Sequence, residues 1–113
     1  MNKEVKKYNE YREKMNNEIL SANNKIIKRL FNIDTNAYKE GALSAKTKEM
    51  LGLVASMVLK CDDCIKYHLI KCKENNITND EIFEIFAIAN LVGGSIVIPH
   101  TRKAVEFWNL LKD

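Results

Sequence analysis

The chain has 113 residues, of which 46% are hydrophobic and 29% charged, with a net charge of +3; this composition and length predict one globular domain, residues 1–113, with a modest core. Acidic residues are interspersed among the 18 Lys and Arg, so no basic stripe forms and a nucleic-acid partner is excluded. No run of 18 apolar residues is present to span a membrane, and the charged N-terminus MNKEVKKYNEYREK lacks the apolar stretch of a signal peptide, which together predict a cytoplasmic protein.

Taken in chain order, the segments read as an all-α fold of about five to six helices. Val5, Tyr8, Tyr11, Met15, Ile19, Ala22, Ile26 and Leu30 recur at steps of three or four, the period of an amphipathic helix over residues 1–30, with Asn23-Asn24 as a point of interruption. Residues 32–43 hold few apolar side chains and contain Gly41, so they read as a connection. Ser44 can cap a helix over 45–60 that is apolar on most faces, where Gly52, Ala55 and Ser56 permit close packing. A short helix is expected over 62–75. Thr78 with Glu81 has capping-box spacing and starts another, apolar nearly all round, which Gly93-Gly94 ends. Pro99 suits the first turn of a last helix running to Leu111. Phe83, Phe86, Phe107 and Trp108 read as core residues. Two helices apolar on most faces carry more surface than one small chain hides, so a subunit interface is expected in preference to a central helix buried in one protomer.

The informative stretch is Cys61-Asp62-Asp63-Cys64-Ile65-Lys66-Tyr67-His68. Two cysteines so close, in a reducing compartment, indicate redox chemistry or metal binding rather than a structural disulfide framework. The C-x-x-C spacing lets two sulfurs reach bonding distance. The motif lies where a helix begins, with Asp62 or Cys61 near the cap, and backbone N–H groups there favour a thiolate. Asp62 and Asp63 oppose the thiolate as neighbouring charges yet suit the helix N-terminus. His68 follows Cys64 by four residues, one turn or ~6 Å along the axis, and follows Cys61 by seven. His68 can therefore serve Cys64 more readily, which makes Cys64 the better candidate for the attacking thiol and Cys61 for the resolving one, although in thioredoxin-type C-x-x-C sites the first cysteine attacks.

A metal reading is weaker. Cys64, His68 and Cys72 follow at four-residue steps and form a Cys₃His set with Cys61 on paper. One straight helix cannot point four ligands around a tetrahedral zinc, and no second C-x-x-C or H-x-x-x-H pair exists. Cys72 instead reads as a small buried hydrophobe. His100, after Pro99, reads as a surface or capping residue ahead of a site-lining one.

Leu43-Ser44-Ala45-Lys46-Thr47-Lys48-Glu49, then Cys61-Asp62-Asp63-Cys64 with Tyr67-His68, then Gly93-Gly94 closely resembles the carboxymuconolactone decarboxylase family, in the branch similar to alkylhydroperoxidase D. The resemblance covers roughly residues 24–111, and Glu49 precedes Cys61 by the twelve residues of the family motif. It implies an all-helical fold assembled as a homotrimer or homohexamer. It also implies reduction of hydroperoxides by Cys64, a resolving Cys61, and a proton relay of Glu49 and His68, with a dithiol or thioredoxin-like reductant regenerating the thiols. No organic cofactor or metal is implied. Asp63 stands where alkylhydroperoxidase D has a histidine. Family members that are true decarboxylases lack the C-x-x-C pair. The alternatives are therefore a redox-sensing module without turnover and, further off, a decarboxylase-type lyase. Within one straight helix Glu49 would lie ~18 Å from Cys61, so the chain has to bend or pack to bring it in.

Overall fold

The computed structural model describes residues 1–112; Asp113, the last residue of the expected domain, lies outside the described residues. Among the described residues six α-helices follow in order: α1 (Lys3–Ser21), α2 (Lys25–Ala37), α3 (Ala45–Val58), α4 (Asp62–Glu74), α5 (Asn79–Gly93) and α6 (Ile98–Leu110), with a 3-10 turn at Ser95–Val97 before the last. The fold is all-α, of the kind expected.

Local chemistry explains most boundaries. Asn2, Asn24, Ser44 and Thr78 each accept from a backbone N–H of their helix's first turn. Thr78 and Glu81 form the full reciprocal box. Gly94 ends α5 at φ 83° and ψ −178°, a region essentially reserved for glycine. Pro99 sits in the first turn of α6.

The fold corrects two expectations. The N-terminal stretch 1–30 is two helices, because Asn23 takes a left-handed φ of 57° and Asn24 caps a new start. That second helix continues to Ala37, through half of the segment read as a connection. Its residues Asn32–Ala37 contain no glycine or proline to stop it; sparse apolar residues there reflect a helix that buries nothing, not the lack of one.

The core is built around α3, α4, α5 and α6. Leu53, Met57, Leu69, Cys72, Ile82 and Ala89 are fully buried, and Phe107 and Trp108 close the α6 side. Each large apolar side chain so buried is worth ~1.5–3 kcal/mol. Phe86 belongs to this core, but Phe83 does not: it is 46% exposed and only edges onto Phe86 at 5.5 Å. Polar contacts tie the elements at their ends. Trp108 Nε1–H donates to Asn79 Oδ1 at 3.1 Å, and Asn90 Nδ2 donates to Thr101 Oγ1 at 2.9 Å. α3 and α4 form a helical hairpin across Leu59–Cys61, with Lys60 in the left-handed region at φ 59°. That hairpin is what positions the site.

Candidate functional site

Cys61 is the N-cap of α4, and its Sγ accepts from the backbone N–H of Cys64 at 3.3 Å. The two cysteines are joined as a disulfide, their Cα atoms 5.3 Å apart. Cys64 is exposed and Cys61 half-buried. The tyrosine at position 8 fastens α1 to this turn: its hydroxyl donates to the carbonyl of Asp63 at 2.9 Å. Burial, with Asp63 beside it, pushes the Tyr8 phenol up to about 12, so it stays a donor at any physiological pH.

One turn beyond Cys64 on α4, His68 is buried against α3. Its Nδ1 lies 2.9 Å from Glu49 Oε1, and both side chains are under 10% exposed. Because a carboxylate only accepts, Nδ1–H donates, which leaves Nε2 of the neutral ring as the acceptor. Nε2 is 3.4 Å from the Tyr38 hydroxyl, a long contact at the edge of hydrogen-bond range. The hairpin thus brings together Glu49 and His68, which lie nineteen residues apart in sequence.

Gly52 makes this arrangement possible. A Cβ at that position would stand 2.6 Å from His68 Cε1 and 2.7 Å from the Tyr38 hydroxyl, closer than real Cβ contacts come. Tyr38 itself follows α2, held there by Lys48, whose ammonium donates to the carbonyls of Ala37 (2.9 Å) and Lys39 (2.7 Å). Burial and the nearby Glu49 carboxylate raise the Tyr38 phenol above its ordinary value.

A cleft of about 180 Å³ opens over Cys64 and His68, lined also by Asp63, Tyr67, Arg12 and Asp34. The Arg12 guanidinium lies over the Tyr67 ring at 4.1 Å. α1 and α2 therefore wall a site whose chemistry is on α3 and α4. Arg12, Asp34 and Tyr38 carry no local sequence signal; each reaches the site across a helix boundary.

On its opposite flank α4 meets α6, where His100 Nδ1 lies 2.7 Å from Asp62 Oδ1 and Lys103 Nζ 3.1 Å from Asp62 Oδ2. His100 is thus tied to the C-x-x-C segment rather than simply capping its own helix. Cys72 is fully buried, and burial, aided by Glu49, pushes its thiol up to about 12; it is an inert core residue. Among the described residues no three His, Cys, Asp or Glu side chains gather as a metal site, and no helix is long and apolar enough to cross a membrane.

The sequence profile of the carboxymuconolactone decarboxylase family matches residues 25–107. The chain belongs to this family. A family member from Thermotoga maritima, for which involvement in the antioxidative response has been suggested, is 51% identical in sequence, and its crystal structure superposes with a TM-score of 0.89 over 94% of this chain and 90% of that one. A second crystal structure of the Thermotoga maritima protein gives a TM-score of 0.92, covering 95% and 94% of the two chains. A family member from Legionella pneumophila shares the fold at a TM-score of 0.73 and 21% identity, over 91% of this chain and 95% of that one. An uncharacterised protein of Cupriavidus necator is 27% identical over 66% of each chain, so the match spans just under two thirds of that relative's length.

Proposed function

We propose that this family member is a thiol-dependent peroxidase that reduces alkyl or other hydroperoxides through the Cys61–Cys64 couple. The observation that carries the reading is the Cys61–Cys64 disulfide, whose Cys64 lines one cleft together with His68, the imidazole that the buried Glu49 carboxylate holds. In the reduced protein the Cys64 thiolate attacks the terminal peroxide oxygen, and the O–O bond breaks. His68 takes the Cys64 thiol proton at Nε2, the imidazolium being stabilised by Glu49, and passes it to the departing alkoxide, while Cys64 becomes a sulfenic acid. The Cys61 thiol then displaces water and closes the disulfide. The sum is one hydroperoxide plus two thiols giving one alcohol, one water and one disulfide. A dithiol or thioredoxin-like partner, in the reducing cytoplasm, returns two electrons and two protons.

The exposed position of Cys64 supports its assignment as the attacking sulfur, and the N-cap position of Cys61 supports its role as the resolving one. Assembly into a homotrimer or homohexamer belongs to the same proposal. It is supported by apolar side chains left in water, such as Leu59 (76% exposed) and Leu91 (79%).

The test is peroxide consumption by the reduced protein with a Cys64→Ser variant alongside, counting thiols before and after an alkyl hydroperoxide pulse. Loss of two thiols, with turnover sustained by added dithiol and absent in the variant, is expected. Loss of two thiols without turnover would make the protein a redox sensor. No thiol loss would return the chain to the decarboxylase chemistry of its family.

A further inference from the structure

Asp62 is the first residue of α4, one position after Cys61 and two before Cys64. A bare carboxylate there works against a thiolate on either sulfur. The structure divides this carboxylate between two groups of α6. His100 holds Oδ1 at 2.7 Å and Lys103 holds Oδ2 at 3.1 Å. Their i,i+3 spacing puts both on one face of α6. Partial burial pushes the Asp62 carboxyl up, but the hydrogen bonds and charges of His100 and Lys103 more than reverse this, and it lies below its ordinary value. Lys66, Glu4 and Glu106 line the adjoining cleft without an ion pair to Asp62 among the described residues, and Asp63 is exposed.

We propose that His100 and Lys103 are positioning residues of the redox centre, which by neutralising Asp62 set how readily the Cys61–Cys64 disulfide is reduced and how acidic the resulting thiol is. The proposal rests on the reading of this pair as a redox couple, but not on peroxide as its oxidant. In that couple the S–S bond breaks as two electrons and two protons arrive from a reagent dithiol, which closes its own disulfide. Removing the Lys103 charge, or the His100 hydrogen bond, leaves Asp62 less compensated, which disfavours the thiolate and stabilises the disulfide. Removing the Asp62 charge leaves Lys103 in excess and does the opposite. A cluster that merely braced α4 against α6 would shift both kinds of variant in one direction.

The experiment equilibrates the protein with dithiothreitol redox buffers at pH 8, where ordinary thiols are partly ionised, and counts thiols after denaturation; the rate of alkylation by iodoacetamide is followed against pH. The parent protein should pass from one thiol, Cys72, to three; a parent that stays at one thiol would sink the redox couple itself, an outcome distinct from any shift among the variants. Lys103→Met should move the equilibrium toward disulfide by roughly two- to fivefold, the scale of a partly exposed ion pair, and slow alkylation; His100→Gln, which alters the hydrogen bond to Asp62 Oδ1, should move both in the same sense but by less. Asp62→Asn should move both readouts the other way, and Lys103→Arg should match the parent. Raising salt to ~1 M should shrink the shifts. Shifts of one sign in Lys103→Met and Asp62→Asn, or none, would overturn the proposal. Should His100→Gln fold poorly, Lys103→Met carries the test alone, since the Lys103 side chain is 64% exposed.

Discussion

At the scale of single residues, the site depends on groups that tolerate little change. Gly52 leaves no room for a methyl group between α3 and the His68–Tyr38 pair. Gly52→Ala should displace the imidazole and reduce peroxide turnover by at least ~10-fold while the helix itself, with better intrinsic propensity, still forms; circular dichroism and turnover measured together would check this. Glu49→Gln keeps the shape but removes the charge that stabilises a protonated His68, and a loss of ~10²-fold or more in turnover is expected. Asp62 also leaves a mark on stability. Its carboxyl is lowered in the folded state by His100 and Lys103, against the opposing effect of burial. The stabilisation is therefore fully present above the unfolded aspartate value of about 4 and is lost as pH falls below it. Urea midpoints measured between pH ~6 and ~3 should fall less steeply in Asp62→Asn than in the parent.

The helices owe their ends to short-range chemistry, and this level was largely legible in the sequence. Ser44, the Thr78–Glu81 box, the Gly93-Gly94 stop and Pro99 all act where their spacing placed them. Thr78→Ala should cost ~1 kcal/mol, read as a lower denaturant midpoint with unchanged slope. Gly94→Ala should cost ~1–3 kcal/mol through the backbone alone, because a Cβ there meets nothing within 4 Å while φ is 83°. That residues 32–37 read as a connection has a physical cause. The apolar stripe of α2, Ile26, Leu30 and Ile33, runs out after Ile33, and Asp34, Thr35 and Asn36 continue the helix with polar side chains, so periodicity stops before the helix does. The split at Asn23 was visible as Asn-Asn, but its left-handed backbone was not.

Across the whole molecule, α1 and α2 contribute Arg12 and Asp34 to the cleft over the α3–α4 hairpin, and apolar side chains are left exposed on several helices. Leu91 and Val92 near the end of α5, together with Leu59, are mostly exposed. In the proposed homotrimer or homohexamer such residues would be covered, and sedimentation velocity should return a mass several times the 13.0 kDa of one chain. Leu91→Glu should lower that mass if the end of α5 forms the contact, since a buried unpaired carboxylate is costly.

The sequence by itself determined what one helix turn can reach. Helical period and capping chemistry act over three or four residues, so the all-α architecture, the helix start at Cys61 and the placing of His68 one turn beyond Cys64 followed from spacing. Glu49 was singled out only by family resemblance; by its own surroundings in the chain it was an ordinary helix charge. Tertiary structure decided that Glu49 meets His68 across nineteen residues, that Tyr38 meets it across thirty, and that Asp62 is shared with His100 across thirty-eight and Lys103 across forty-one. Those contacts depend on how helices pack, and packing is set by the summed burial of Leu53, Met57, Leu69 and their neighbours rather than by any local signal.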